Sequence, residues 1–395
     1  MAETRNERSF PQASANTPGG GLRTAVPNGQ TRVAILVPEA LPGQGGIARV
    51  IAYQTRYLAE HCPDIAFRVF RSRYGRHPVL RHLSTPFALV AFAANLIGRR
   101  IDVVHINVAP RGSTWRKMAF AAAARLLGRK VIVHLHGSGY NEFYAGCSPS
   151  QQAIIRSFFH RADKVVALSG FWRRFLASEL GVSESKIVTI PNGVPAARGP
   201  RLVRPPSTRP PVILFLGAVG YRKGIDVLID AFTELRGRNV GFSAIIGGDG
   251  EVAETQARAR ERGLADQIAL PGWVDEQGVS QLLADADIFV LPSRAENQPV
   301  SILEAMARAI PVVSTTVGAI PEQVIDGETG FLVPRGEAMP LADALQKLIE
   351  APELRLIMGH AGLRRFEARF SLAASAESFA ALYRGLGASG QPVSR

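Results

Sequence analysis

The segment 196–211 holds five prolines and four arginines, and neither a helix interior nor a central strand survives so many residues lacking a backbone N–H. The chain is therefore divided near its middle. On each side, short apolar runs alternate with stretches of helical spacing. Before the division they are Val33–Val37, Val103–Val108, Val131–Leu135, Lys164–Leu168 and Ile187–Ile190; after it, Val212–Leu216, Ser243–Ile246, Ile288–Leu291 and Pro311–Ser314. Near-continuous apolar runs joined through helices are what a parallel sheet covered on both faces requires. The pattern predicts an α/β protein of two Rossmann-like, doubly wound domains, 30–195 and 212–368, facing a central cleft. Ligands of such sheets bind beyond the carboxyl ends of the strands, so the cleft is where a site is expected. Residues 369–388, with Phe379, Leu382 and Tyr383 at helical spacing, predict a terminal helix free to cross back to the first domain. The polar ends, 1–29 and 389–395, read as disordered tails.

At 395 residues, with 46% hydrophobic and 20% charged side chains, the chain can bury two cores. Two cysteines, Cys62 and Cys147, build neither a disulfide framework nor a thiolate metal cluster, which predicts a reducing, cytoplasmic setting. The longest apolar run, Phe87–Ile97, is shorter than the ~20 residues that span a bilayer. Charge is uneven. Residues 1–200 carry 26 Lys and Arg against 10 Asp and Glu, and Ala66–Lys130 carries 13 basic residues against one acid, Asp102. Such a surface attracts polyanions or an anionic membrane; the alternative reading is a solvated basic face. Nucleic acid is excluded, since no binding motif and no interleaved aromatic platform accompanies the charge. The loop PGQGGIARV lacks the dinucleotide spacing, which disfavours an NAD enzyme.

The most informative stretch is Ala286–Pro334. A strand ends at Leu291, a loop presents Glu296, a helix starts near Pro299 or Val300, and Glu304 lies one turn inside it. Amides near Val300 and Ser301 at a helix start suit a diphosphate, and carboxylates suit vicinal hydroxyls. Two glutamates separated by seven residues in this setting resemble the donor signature of glycosyltransferase family 4. A second segment, FLGAVGYRKGIDVLIDA (Phe215–Ala231), sets Lys223 before a helix, where a cation neutralises a departing diphosphate. IIGGDGE, with Gly248, and PGWV, whose Val274 would flank the nucleobase, are similar to shorter family segments. IPNGV is similar to the segment that closes the domains, and its Asn192 and Gly193 suit a turn of positive φ.

The resemblance covers Val33–Tyr383 and implies a GT-B fold and a retaining hexosyltransferase that needs no metal or other cofactor. The donor would be a nucleotide sugar of the GDP-mannose or UDP-glucose type. By resemblance the donor site comprises Gly45, Gly46, Arg222, Lys223, Gly248, Val274, Glu296, Asn297, Pro299, Val300, Ser301 and Glu304. His136, Lys223 and Glu296 would carry catalysis, with Glu296 on the sugar hydroxyls and Glu304 on the ribose. His134 is expected deeper, as core or support.

The segment His105–Lys130 resembles bacterial exopolysaccharide transferases. It implies a saccharide acceptor linked to polyprenyl diphosphate, bound by Arg111, Arg116, Lys117 and His136 at the inner face of the cytoplasmic membrane. Trp115, Met118, Phe120 and Leu126 on that helix suit either a membrane interface or packing beneath the sheet. Two departures stand out: Ala218 occupies the place where many relatives have an arginine, leaving Arg222 to supply the charge, and Asn297 replaces a glycine. A nucleotide-sugar epimerase of the same shape and a non-catalytic scaffold remain the alternatives.

Overall fold

The computed structural model describes residues 30–37, 45–73, 84–98, 101–197 and 209–388. The first sheet contains β1 (Thr31–Val37), β2 (Ile65–Arg71), β3 (Val103–Val108), β4 (Lys130–Leu135), β5 (Lys164–Ala167) and β6 (Ile187–Thr189). Its strands are parallel, in the order β2-β1-β3-β4-β5-β6. The second contains β7 (Val212–Leu216), β8 (Ser243–Gly247), β9 (Ile268–Gly272), β10 (Ile288–Leu291), β11 (Val312–Thr315) and β12 (Gly330–Val333). It too is parallel, ordered β12-β11-β10-β7-β8-β9. Helices cover both faces of each sheet, as parallel pairing demands.

Strands β2, β9 and β12 fall outside the apolar runs of the sequence. Each lies at a sheet edge, where one flank meets solvent. Their residues therefore mix exposures, as in Ile65–Arg71, and leave no continuous hydrophobic signal. The central strands β3, β7, β10 and β11 are buried along their whole length.

In each sheet the strand order reverses once: between β1 and β3 in the first, and between β7 and β10 in the second. A crevice opens at such a reversal because the flanking connections leave on opposite faces. The two crevices face each other. The chain crosses between the domains at Val194 and again at Ser371, where the two passes pair side by side: Val194 N–H donates to the Phe370 carbonyl at 3.3 Å and Leu372 N–H to the Val194 carbonyl at 2.9 Å.

Gly193, expected to take a positive φ, does not do so. Its need for glycine is packing, because a Cβ there would stand 2.7 Å from that of Ser375 and 2.8 Å from the Ser371 carbonyl. The helix Leu372–Ala388 then returns to the first domain and buries Phe379, Ala380, Tyr383 and Leu386 against β1 and the helix Gly46–His61. The tails 1–29 and 389–395, and most of the linker 196–211, lie outside the described residues.

Candidate active site

A cavity of about 700 Å³ lies between the domains, with walls from both. Its size suits a nucleotide sugar. On the second domain, β7 ends at Leu216 and a single 3-10 turn, Tyr221–Lys223, precedes the helix Ile225–Gly237. Gly224 sits between them at φ 71°, and a side chain there would collide with the Pro292 carbonyl. That close approach presses the loop onto the end of β10. Lys223 Nζ consequently donates to Glu296 Oε1 at 2.5 Å, and Ser293 Oγ donates to the same oxygen at 2.7 Å. Both side chains of the ion pair are largely buried. Arg222 stands at the rim, where its Nη1 donates to the Ala295 carbonyl at 3.3 Å and lies 3.8 Å from Glu296 Oε1. All three contacts fall on Oε1, and Oε2 retains its capacity to accept.

Glu304 lies at the other end of this wall, one turn into the helix Val300–Met306. Burial pushes its carboxyl pKa up, and the nearby Arg49 guanidinium opposes that shift. Arg49 Nη1 donates to both Glu304 oxygens, at 2.8 and 3.2 Å. This arginine comes from the first domain, one turn into the helix Gly46–His61, so the pair bridges the cleft. Tyr53, one turn further along, has its hydroxyl 3.5 Å from Glu276 Oε1 of the second domain.

Apart from Arg49, the first-domain wall around the end of β4 is neutral. His136 leaves β4 at 5% exposure, and its Nε2 is 2.8 Å from Asn107 Oδ1. Asn107 is itself oriented by donation from Nδ2 to the Leu36 carbonyl at 3.3 Å. Its oxygen therefore faces the imidazole, which assigns the proton to Nε2 and a lone pair to Nδ1. Burial lowers the His136 pKa to about 3, with His105 and Lys117 contributing. Beneath it His134 and His105 form a buried pair, Nδ1 to Nε2 at 3.1 Å, and His105 Nδ1 is 2.6 Å from the Tyr383 hydroxyl on the returning helix. His134 thus supports the wall from the core side.

The donor-site residues named from the sequence converge on this cavity. Gly45, Gly46, His136, Arg222, Lys223, Gly248, Val274 and the run Glu296, Asn297, Pro299, Val300, Ser301 and Glu304 line it, and so does Ala218. The acceptor arginines and lysine do not. Arg111 is exposed at φ 62°, and Arg116 donates to Ser72 Oγ and the Gly112 carbonyl. Lys117, expected to face an acceptor, is wholly buried with Nζ on the Leu36 carbonyl at 3.0 Å. Helical periodicity turns it under β1, and burial drives its pKa well down. Phe120 on the same helix is also core, so this helix packs beneath the sheet, with Leu126 left outside.

Several contacts were silent in the sequence. Asn297 Nδ2 donates across the cleft to the Leu135 carbonyl at 3.1 Å, and Gln298 Oε1 accepts from the Asn192 amide at 2.6 Å. Glu322 accepts from the amides of Gly170 and Phe171 at 2.8 and 2.7 Å. Oδ1 of Asn297 and Oδ1 of Asn192 are buried without a partner, and both residues line the cavity. The Asp-x-Asp pair of the sequence, Asp285 and Asp287, lies at the far end of β10 from the cavity, where Asp287 accepts from the Val212 amide at 2.9 Å.

Two family models divide the chain between them: "Glycosyltransferase Family 4" matches residues 27–198 and "Glycosyl transferases group 1" matches 210–351. The chain belongs to glycosyltransferase family 4. It is 28% identical over 363 residues to the phosphatidyl-myo-inositol mannosyltransferase of Mycobacterium leprae, covering 85% of this chain and 93% of that one. Similarity to the α-D-kanosaminyltransferase of Streptomyces kanamyceticus is 32% over 180 residues, 45% of this chain and 46% of that one. An Escherichia coli K12 chain assigned to colanic acid biosynthesis, WcaL, is 32% identical over 256 residues, 62% of this chain and 61% of its own. The match thus spans less than two thirds of these last two relatives. Among solved structures, sucrose-phosphate synthase from Thermosynechococcus elongatus superposes with a TM-score of 0.77 at 22% identity, covering 91% of this chain and all of that one. Anabaena HepE in complex with UDP-glucose gives 0.70 at 20% identity, covering 90% and 100%. The architecture is GT-B, and the activity of this family 4 chain is glycosyl transfer.

Proposed function

We propose that the chain is a retaining hexosyltransferase that uses a nucleotide-diphosphate sugar and a saccharide acceptor carried on polyprenyl diphosphate, in the synthesis of a cell-surface glycan. The observation that carries this reading is the pairing of Lys223 with Glu296 at one end of the cavity and of Arg49 with Glu304 at the other. In this reading Glu304 accepts from the ribose hydroxyls, while Val274 and the half-exposed Trp273 flank the base. The diphosphate lies between Lys223, Arg222 and the amides of Val300 and Ser301. It also meets the start of the helix Gly46–His61, which has no acid in its first turn and no side-chain cap. The second-domain helix is only seven residues long, so its dipole is short and Lys223 carries more of the leaving charge.

The reaction breaks the bond from the anomeric carbon to the diphosphate and forms one to an acceptor hydroxyl on the same face. The hydroxyl proton passes to the departing phosphate oxygen, and Lys223 stabilises the negative charge there. Glu296 holds sugar hydroxyls, and neutral His136 offers a hydrogen bond without adding charge beside the reacting carbon.

HepE is solved with UDP-glucose and a Mycobacterium tuberculosis relative is named GDP-mannose-dependent, which supports a UDP- or GDP-linked hexose as donor. Relatives named for colanic acid biosynthesis and for phosphatidyl-myo-inositol mannosyl transfer support a cell-surface or lipid-linked acceptor, and such an acceptor would be met at the inner face of the cytoplasmic membrane. Thermal-shift titration with UDP, GDP, UDP-glucose and GDP-mannose identifies the base, since a ligand at 100 times its Kd stabilises by about 2.7 kcal/mol. Proton NMR of the product then reads the anomer. A β-linked product from an α-linked donor would overturn retention, and sugar epimerisation without an acceptor would overturn transfer.

A further inference from the structure

The helix Thr85–Gly98 in the first domain contains no charged residue. It buries a narrow stripe, Ala88, Phe92 and Leu96, against the sheet. The opposite face is also apolar: Phe87, Val90 and Ile97 are 76%, 69% and 70% exposed, with Ala91 and Ala94 exposed between them. A surface helix of a water-soluble domain carries polar residues there. Exposed Leu126, at 87%, ends the helix packed alongside. Just beyond it, Arg129 donates to the Leu96 carbonyl at 3.0 Å.

Along the chain, the segment that holds this helix, Ala66–Lys130, is charged almost entirely with one sign. Arg99 and Arg100 follow Gly98 directly in the chain, and Arg76 and Arg81 precede the helix; these four lie outside the described residues. The single acid of Ala66–Lys130, Asp102, is spent on the Arg32 amide at 2.8 Å. An exposed apolar stripe within a basic segment is the composition of a surface that lies in a membrane interface.

We propose that this face docks on an anionic lipid bilayer, with Phe87, Val90, Ile97 and Leu126 entering the acyl boundary and the net positive charge of Ala66–Lys130 drawing it to anionic headgroups. Charge complementarity selects this occupant over a second copy of the chain: a two-fold contact through the same face would set its basic surroundings against themselves, whereas anionic headgroups neutralise them. No helix among the described residues is long and apolar enough to cross a membrane, so contact is from one side. The helix runs antiparallel to its neighbouring strands, which puts Phe87 toward the cleft end of the domain. Docking there holds the cleft mouth beside the surface from which a lipid-linked acceptor would enter. The inference rests on the membrane location proposed above and gives it a surface; vesicle binding requires neither donor nor acceptor, so its failure leaves the transfer reaction standing.

The test is co-sedimentation of the full chain with vesicles of phosphatidylcholine, with and without phosphatidylglycerol. Expected is at least about tenfold more binding to the phosphatidylglycerol vesicles at low salt, falling as salt rises. The double variant Val90→Glu, Ile97→Glu should lose at least about tenfold of that binding, with unchanged Tm and nucleotide affinity. Ile357→Glu, at an exposed apolar residue of the other domain, should bind as the parent does. Equal binding to neutral vesicles, full binding by the double variant, or a lipid-indifferent dimer dissolved by Val90→Glu would each overturn the proposal.

Discussion

The two walls of the cleft are built on opposite electrostatic plans. The second-domain wall carries full charges, each buried beside an opposite one: Lys223 with Glu296, and Glu304 with an arginine lent by the first domain. The first-domain wall carries buried imidazoles at His105, His134 and His136, which burial keeps neutral. Buried charges persist only when paired and hydrogen-bonded, and a buried base persists by giving up its proton. A wall that receives a diphosphate needs fixed cations and carboxylates; a wall that meets sugar carbons is better served by hydrogen bonds without net charge. On the proposed reading, the difference gives leaving-group stabilisation to one domain and orientation to the other.

The strongest way to break this comparison is to remove the charged wall. Lys223→Ala should cut kcat by about 10²–10³-fold, the usual loss of one transition-state donor. Glu304→Ala should likewise abolish measurable transfer. Both variants should keep the parental circular dichroism, and near-normal turnover in either would place the donor elsewhere.

The neutral wall predicts a pH signature. His105 and His136 are depressed to about 3 by burial, below the unfolded value near 6.5. Their contribution to stability is therefore present above pH 6.5 and is lost as pH falls toward 3, because the unfolded chain takes up protons that the folded one refuses. Each contributes a slope of up to about 1.4 kcal/mol per pH unit in that window. Urea titrations from pH 7 to pH 4 measure it. An imidazole resonance of His136 titrating between pH 5 and 8 would contradict a neutral wall.

Arg49→Ala tests the charge that one wall lends to the other. It leaves Glu304 buried without its cation, and with Arg49 partly solvated the cost should be about 2–3 kcal/mol at pH 8, below that of a fully buried pair. The Glu304 pKa, already raised, rises further without Arg49. A raised carboxyl favours the fold below the ordinary carboxylate range and loses that advantage as pH rises through its folded value, so the deficit should shrink toward pH 4. Equal deficits at both pH values would remove Glu304 as the cause.

The smallest effect belongs to Asn297→Gly, which sets there the glycine that the family resemblance implies. Loss of the hydrogen bond to the Leu135 carbonyl should cost about 1 kcal/mol and move kcat less than twofold. A large fall in kcat would make Asn297 part of the reacting centre.

That the residues proposed for the donor line one cavity was legible because their arrangement is local. Glu296, Val300 and Glu304 sit on one strand-loop-helix unit and Lys223 on another, so resemblance over two short segments was enough to single them out. The acceptor side was read less well for a physical reason. Arg111, Arg116 and Lys117 look alike as a basic run, yet helical periodicity sends one to solvent, one to Ser72 and one under β1. Arg49 was invisible because its partner lies 255 residues away. Of the four edge strands, β2, β9 and β12 escaped, because their open flank breaks the apolar run, whereas β6 kept one.

By itself the sequence determined an α/β chain of two doubly wound halves, since that follows from short-range pattern and backbone chemistry, and resemblance to a family pointed to the paired glutamates. Only the tertiary structure decided that Glu304 is met by Arg49, that the histidines are stripped of charge, and that an uncharged helix is left with its apolar face in solvent. Those are properties of burial and of contact across the cleft, and burial is set by what the rest of the chain places alongside.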